Sequence, residues 1–179
     1  MGLYLQNLDQ RTREFMLREV DLDVSIGKLY ISSRLNTMGQ QHYEQLLREA
    51  IASHDDAWLA DQLRNKGLLS AQEQRRKPSG GFTVAKVPVT APDTLAEGEF
   101  NRFYARGLCA RALQDGISQV EVYRGKSVSQ PRPESEAMIG HRIDAASLLT
   151  DLRTSQGVEP ALGLPPGPNS GLTVKLPES

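Results

Sequence analysis

The sequence predicts an α+β fold: an N-terminal helical part followed by a small βαβ-αβ sheet unit. Three observations lead to it. Residues 1–67 hold amphipathic segments that begin at capping residues and end at glycines. Two β-rich runs, FTVAKVPV and QVEVYRG, flank a long helical segment in the second half. Between the halves lies a basic joint containing Arg75, Arg76, Lys77, Gly80 and Gly81. The expected division is 1–67 (helical), 68–81 (joint) and 82–179 (α+β, ending in a Pro/Gly-rich arm).

Asn7 or Asp9 is placed to cap a first helix running to about Ile26. Phe15, Glu19, Leu22 and Ile26 line one side, and Gly27 follows as a residue that takes positive φ cheaply. KLYIS reads as a short extended piece. Thr37 with Gln40 forms a capping-box pattern, and Tyr43, Leu46, Leu47, Ala50 and Ile51 behind it trace one face of a helix. Ser53 or Asp55 opens a third helix carrying Trp58, Leu59 and Leu63, closed by Gly67. Ser70 with Glu73 predicts another short helix, stopped by Pro78.

FTVAKVPV reads as a strand, with Pro88 marking its end or a sheet edge. Thr94 with Glu97 predicts the start of a helix to about Gln114, with Gly116 beyond it. Its apolar residues, among them Phe100, Phe103, Tyr104 and Leu108, spread round the helix, so burial on more than one side is expected. QVEVYRG is the next strand. The two prolines around Arg132 in SQPRPES predict a loop. Asp144 caps a helix carrying Ala145, Leu148, Leu149 and Leu152. PALGLPPGPNSG is a connector, and GLTVKL is a last strand that would be exposed unless it joins a sheet.

Composition narrows the function classes. The chain has 179 residues, 39% hydrophobic and 24% charged, and its formal net charge is −1. A near-neutral chain does not predict a nucleic-acid coat or a membrane binder by bulk electrostatics. Mean hydropathy is −0.44 and no apolar run approaches a bilayer-spanning length, so no membrane contact is expected. The N-terminus lacks the basic start and apolar stretch of a secretory signal. The single cysteine, Cys109, has no partner for a disulfide, which favours a reducing compartment. A cytoplasmic protein is expected.

Charge distribution says more than net charge. Residues 68–90 carry Arg75, Arg76, Lys77 and Lys86 against Glu73 alone, while acids outnumber bases on either side. Arg75, Arg76 and Lys77, with Arg124, Lys126 and Arg132, are candidates for a nucleic-acid groove. Arg102 and Arg106 lie one helical turn apart and are candidates for clamping a phosphate or carboxylate. The competing expectation is that such arginines pair with Glu99, Asp115 or Glu121 and cross the core edge.

No catalytic set, metal site or cofactor is expected. His42, His54, His141 and Cys109 lack zinc-ligand spacing, and no glycine run has the Lys and Ser/Thr of a P-loop. Glu99, Asp115, Glu121 and Lys126 follow the order of a metal-dependent nuclease, but Lys126 lies five residues after Glu121 and therefore on the opposite strand face. The function expected is an interaction or assembly module of a larger cytoplasmic complex, with a protein partner or a second copy. Nucleic-acid binding is the alternative, followed by a small metal-dependent nuclease.

Overall fold

The computed structural model describes residues 2–156 and 170–178 and confirms the α+β class. Three helices come first: α1 (Gln10–Ser25), α2 (Thr37–Ser53) and α3 (Asp56–Asn65). A hairpin of β1 (Gln72–Arg76) and β2 (Phe82–Lys86) follows, and then the long helix α4 (Ala91–Gln114). The remainder is β3 (Gln119–Arg124), α5 (Pro133–Met138), β4 (Arg142–Asp144), α6 (Ala145–Thr154) and β5 (Leu172–Lys175). β3 is the centre of a three-stranded antiparallel sheet in the order β4-β3-β5. Among the described residues no helix is long and apolar enough to cross a membrane.

Several helix boundaries follow the local signals. Asp9 caps α1 by accepting from the Thr12 amide at 2.9 Å, and Gly27 follows with φ 69°. Asp55 caps α3, and Asp144 caps α6. All five apolar residues read along α2 are buried. Its cap, however, is Asn36 rather than Thr37. The Asn36 side chain accepts from the Gly39 amide and donates to the Gly67 carbonyl, both at 2.8 Å. One residue thus starts α2 and ties it to the end of α3.

The buried side of α1 is rotated from the expected one. Thr12, Phe15, Met16, Glu19, Val20 and Asp23 face inward, while Leu22 and Ile26 are exposed. The cause is polar: Glu19 and Asp23 meet an arginine of α4, and that pairing sets the rotation.

The segment after Ser70 is a strand and not a short helix. The Ser70 amide donates to the Arg34 carbonyl at 2.8 Å, and Leu35 and Leu69 form an antiparallel bridge, so the chain leaves this point extended. Glu73 binds Arg34 instead of returning to Ser70 as a capping box requires. β2 consequently pairs with β1, from Gln72 opposite Lys86 to Arg76 opposite Phe82, and not with β3.

α4 starts at Ala91, three residues before the expected Thr94. Pro92 sits in its first turn, where a missing N–H is harmless. Glu97 is drawn away from a capping role by Lys126, at 2.6 Å. The expected burial on several sides holds: Phe100, Phe103, Tyr104, Leu108, Cys109 and Ala112 are all in the core. α1, α3 and α6 pack around α4, and the β3–β5 side of the sheet meets it as well.

One further expectation is corrected. The second proline of SQPRPES opens α5, because its fixed φ suits a first helical position, and Arg132 stands just before it. GLTVKL forms the expected last strand and joins a sheet: β5 pairs with β3 of its own chain and stands at the edge of that sheet. Asn101 of α4 fixes it, donating to the Leu172 carbonyl at 2.9 Å and accepting from the Thr173 hydroxyl at 2.6 Å. Most of the connector PALGLPPGPNSG lies outside the described residues.

α1 and α4 approach closely where Gly107 faces Met16. A Cβ at Gly107 would lie 2.5 Å from Met16 Cγ and 2.8 Å from the Met16 amide nitrogen. Gly→Ala inside a helix ordinarily stabilises by about 0.5–1 kcal/mol. Here the sign should reverse, with Gly107→Ala destabilising by about 1–3 kcal/mol through overpacking. Urea melts measure the difference, and a variant more stable than wild type would disprove this close packing.

Candidate functional site

The expected cations fall into separate environments. Arg106 is completely buried. Its Nε donates to Glu19 Oε1 at 3.0 Å, and its two terminal nitrogens donate to both Asp23 oxygens at 2.7 and 2.8 Å. Arg153 of α6 reaches the same Glu19 through a two-pronged contact at 2.9 and 2.7 Å. The guanidinium of Arg106 also lies 4.9 Å from the centre of the Phe103 ring. Burial by itself raises the Glu19 carboxyl, but Arg153 and Arg106 outweigh it and hold it below its ordinary value.

Glu99, one turn before Phe103 on α4, behaves differently. Its carboxyl group is buried and stands 3.9 Å from Arg102 Nε. Burial pushes it up to about 7, against the opposing pull of Arg102 and Arg106. Arg102 itself is buried and donates to the Ser155 carbonyl at 2.9 Å, at the end of α6. Neither arginine of the expected clamp is at the surface. The acids that hold Arg106 come from α1 and not from the local set Glu99, Asp115 and Glu121. Arg111 does both: it donates to both Asp9 oxygens at 2.7 Å and to the Thr12 hydroxyl at 2.8 Å, and its Nε stands 3.8 Å from Asp115 of the expected local set.

The hairpin is the opposite environment. Every residue of β1 and β2 is exposed except Glu73 and Ala85, which are half-buried and directly opposite each other. Residues facing each other across an antiparallel pair share a sheet face. The side with Glu73 and Ala85 therefore faces the body, together with Arg75 and Thr83. Gln72, Gln74, Arg76, Phe82, Val84 and Lys86 make up the outward side. Phe82 and Val84 are 65% and 63% exposed, so two apolar side chains stand together in solvent on one face.

An isolated hairpin is marginally stable in water, so its base has to be held. Arg34 grips Glu73 through two contacts at 2.8 and 3.2 Å. Arg75 contacts the same carboxylate at 2.9 Å and donates to the Lys86 carbonyl at 3.2 Å. Arg34, then Arg75, hold the Glu73 carboxyl below its ordinary value. The tip is closed by the Lys77 amide donating to the Gly81 carbonyl at 2.9 Å, with Gly80 and Gly81 at φ 94° and 75°. Arg76, Lys77 and Lys86 form no ion pair with any described residue.

The third group sits at the end of β3. Arg124 pairs with Glu136 and donates to the Ser170 carbonyl, and Lys126 pairs with Glu97. Arg132 is exposed. No hydrogen bond or ion pair among the described residues links these three to the hairpin cations. The acids of the nuclease pattern are also dispersed: Asp115 pairs with Arg11, Glu121 with Lys175, and Glu99 is buried beside Arg102. Among the described residues no three His, Cys, Asp or Glu side chains form a group able to hold a metal ion.

Sequence reasoning misses the Glu19–Asp23–Arg153 network and the outward face of the hairpin. A carboxylate inside the apolar line of α1 is the available signal for the first. For the second, the alternation of FTVAK defines two faces, but only pairing with QEQRR shows which one is outward. The arrangement defines an α+β protein with a helix-packed body and an exposed cationic hairpin. No protein-family model, curated protein or solved structure matches the chain.

Arg106→Met leaves Glu19 and Asp23 without their buried counter-charge and should destabilise by about 3–5 kcal/mol. A urea-melt change under about 1 kcal/mol, the worth of an exposed pair, would contradict its structural role. Glu99 retains a proton in the folded chain that the unfolded chain releases from about its ordinary value of 4.5 upward. Its stabilisation is therefore full below that pH and is lost as pH rises through about 7. Wild type should lose about 3 kcal/mol relative to Glu99→Gln across this window. A stability difference that stays flat with pH in parallel melts would contradict the raised carboxyl.

Proposed function

We propose that this protein is an interaction module that joins a larger assembly through its β1–β2 hairpin. The observation that carries this is the outward hairpin face, where Phe82 and Val84 stand in solvent, with Arg76 directly opposite Phe82 and Lys86 beyond Val84. Apolar side chains aligned on an exposed face lower their free energy when a partner covers them. The anchored base supports the same reading. Arg34 and the Leu35–Leu69 bridge hold the hairpin against the body, so docking orders few additional residues. A cytoplasmic setting belongs to the proposal and rests on the lone cysteine, Cys109, whose thiol is buried and pushed up to about 12.

The test is sedimentation of the tagged chain in extract of its native cell. Wild type should travel in a species larger than its own 19.8 kDa. The variant Arg76→Glu, Phe82→Ser should travel as the isolated chain while keeping the wild-type melting profile, because both positions are exposed. Equal sedimentation of the two proteins would refute the hairpin as the contact element.

A further inference from the structure

We infer that the outward face and tip of the hairpin bind single-stranded nucleic acid, with Phe82 as a platform for a base and Arg76, Lys86 and, at the tip, Lys77 against backbone phosphates. This rests on the hairpin being the contact element, and it names the ligand class.

The placement of side chains favours this ligand. Arg76 lies opposite Phe82 at the tip end, Gln74 opposite Val84 in the middle, and Gln72 opposite Lys86 at the base. Lys77 follows Arg76 into the turn. Cations therefore stand at both ends of an apolar pair, separated by about four residues, or about 14 Å along an antiparallel strand. The two glutamines add amide donors and acceptors beside the apolar pair. An exposed aromatic ring beside cations is the combination that single strands use: bases stack on the ring and phosphates meet the charges.

Charge decides between a single strand and a duplex. Non-specific duplex binding depends on neutralising many phosphates. The chain as a whole has a net charge of −1, and Arg76, Lys77 and Lys86 are the hairpin cations without ion pairs among the described residues. So few charges suit a duplex poorly, while stacking adds affinity for each base that leaves its neighbours. The single acid of the hairpin, Glu73, is on the body-facing side and is held by Arg34 and Arg75, so it does not oppose a phosphate on the outward face. An acidic protein segment would also satisfy the cations, but it would leave the face of the Phe82 ring without a stacking partner.

Fluorescence anisotropy of the full chain with a labelled oligothymidylate of about twelve nucleotides, within the usual single-strand site size, tests the inference. Affinity should fall with salt along a log–log slope of about −2, the value for about three phosphates on a single strand. Phe82→Ala should weaken binding by about 5- to 150-fold, the range for losing one base–aromatic stack. The same variant should leave binding to an abasic strand of equal length unchanged. Arg76→Glu with Lys77→Glu should abolish binding to both. Four results would overturn the inference: no binding at low salt, equal weakening by Phe82→Ala on the abasic strand, tighter binding of a duplex of the same length, or equal binding of a polyglutamate peptide. Nuclease treatment of the native extract separates this failure from failure of the interaction reading. If a hairpin-dependent large species survives nuclease, the ligand is wrong and the contact element stands. If no hairpin-dependent species exists before treatment, the contact element itself is wrong.

Discussion

The body of this protein is organised around one desolvated guanidinium. Arg106 has no access to solvent, so its charge is tolerable only with nearly all its donors occupied. Glu19 and Asp23, one turn apart on α1, occupy them. That requirement fixes the rotation of α1 and its position along α4. It also recruits α6, because Arg153 shares the Glu19 carboxylate. Three helices distant in sequence are thereby locked in one relative register, a task that non-directional apolar packing performs less specifically.

The close approach at Gly107 extends the same constraint. Arg106 draws α1 inward, and the absence of a side chain at the next position lets Met16 come against the α4 backbone. Farther along, Arg111 fastens Asp9, the residue that caps α1. The stretch of chain before α1 is stitched to the other side of the body: the Tyr4 amide donates to the Gly125 carbonyl at 2.7 Å and the Gln6 amide to the Tyr123 hydroxyl at 2.8 Å. The hairpin contrasts with all of this. It contributes almost nothing to the core and is held at its base by Arg34, so its outward side chains are available for contact without disturbing the packing.

Legibility in the sequence follows the range of the interactions. The α2 face and the caps at Asp9, Asp55 and Asp144 depend on residues within a few positions, and they are readable. Ser70 with Glu73 has the same local form and misleads. The Ser70 amide and the Glu73 carboxylate are both taken by Arg34, which lies far back in the chain. The capping box at Thr94 misleads in the same manner, since Lys126 claims Glu97. For the candidate site, the basic residues of the hairpin stand out by composition. Their separation from Arg102 and Arg106 does not, because burial is a property of the packed chain.

The sequence alone determined the α+β class, the long central helix, the positions of most helices and the location of the one strongly basic segment. These rest on periodicity and on hydrogen bonds between near neighbours, which any short stretch of chain carries with it. Tertiary structure decided which acids serve Arg106, which face of α1 is inward, that GLTVKL completes its own sheet, and which side of the hairpin meets solvent. Each of those depends on which groups lose water together, and that is settled only when segments far apart in sequence come into contact.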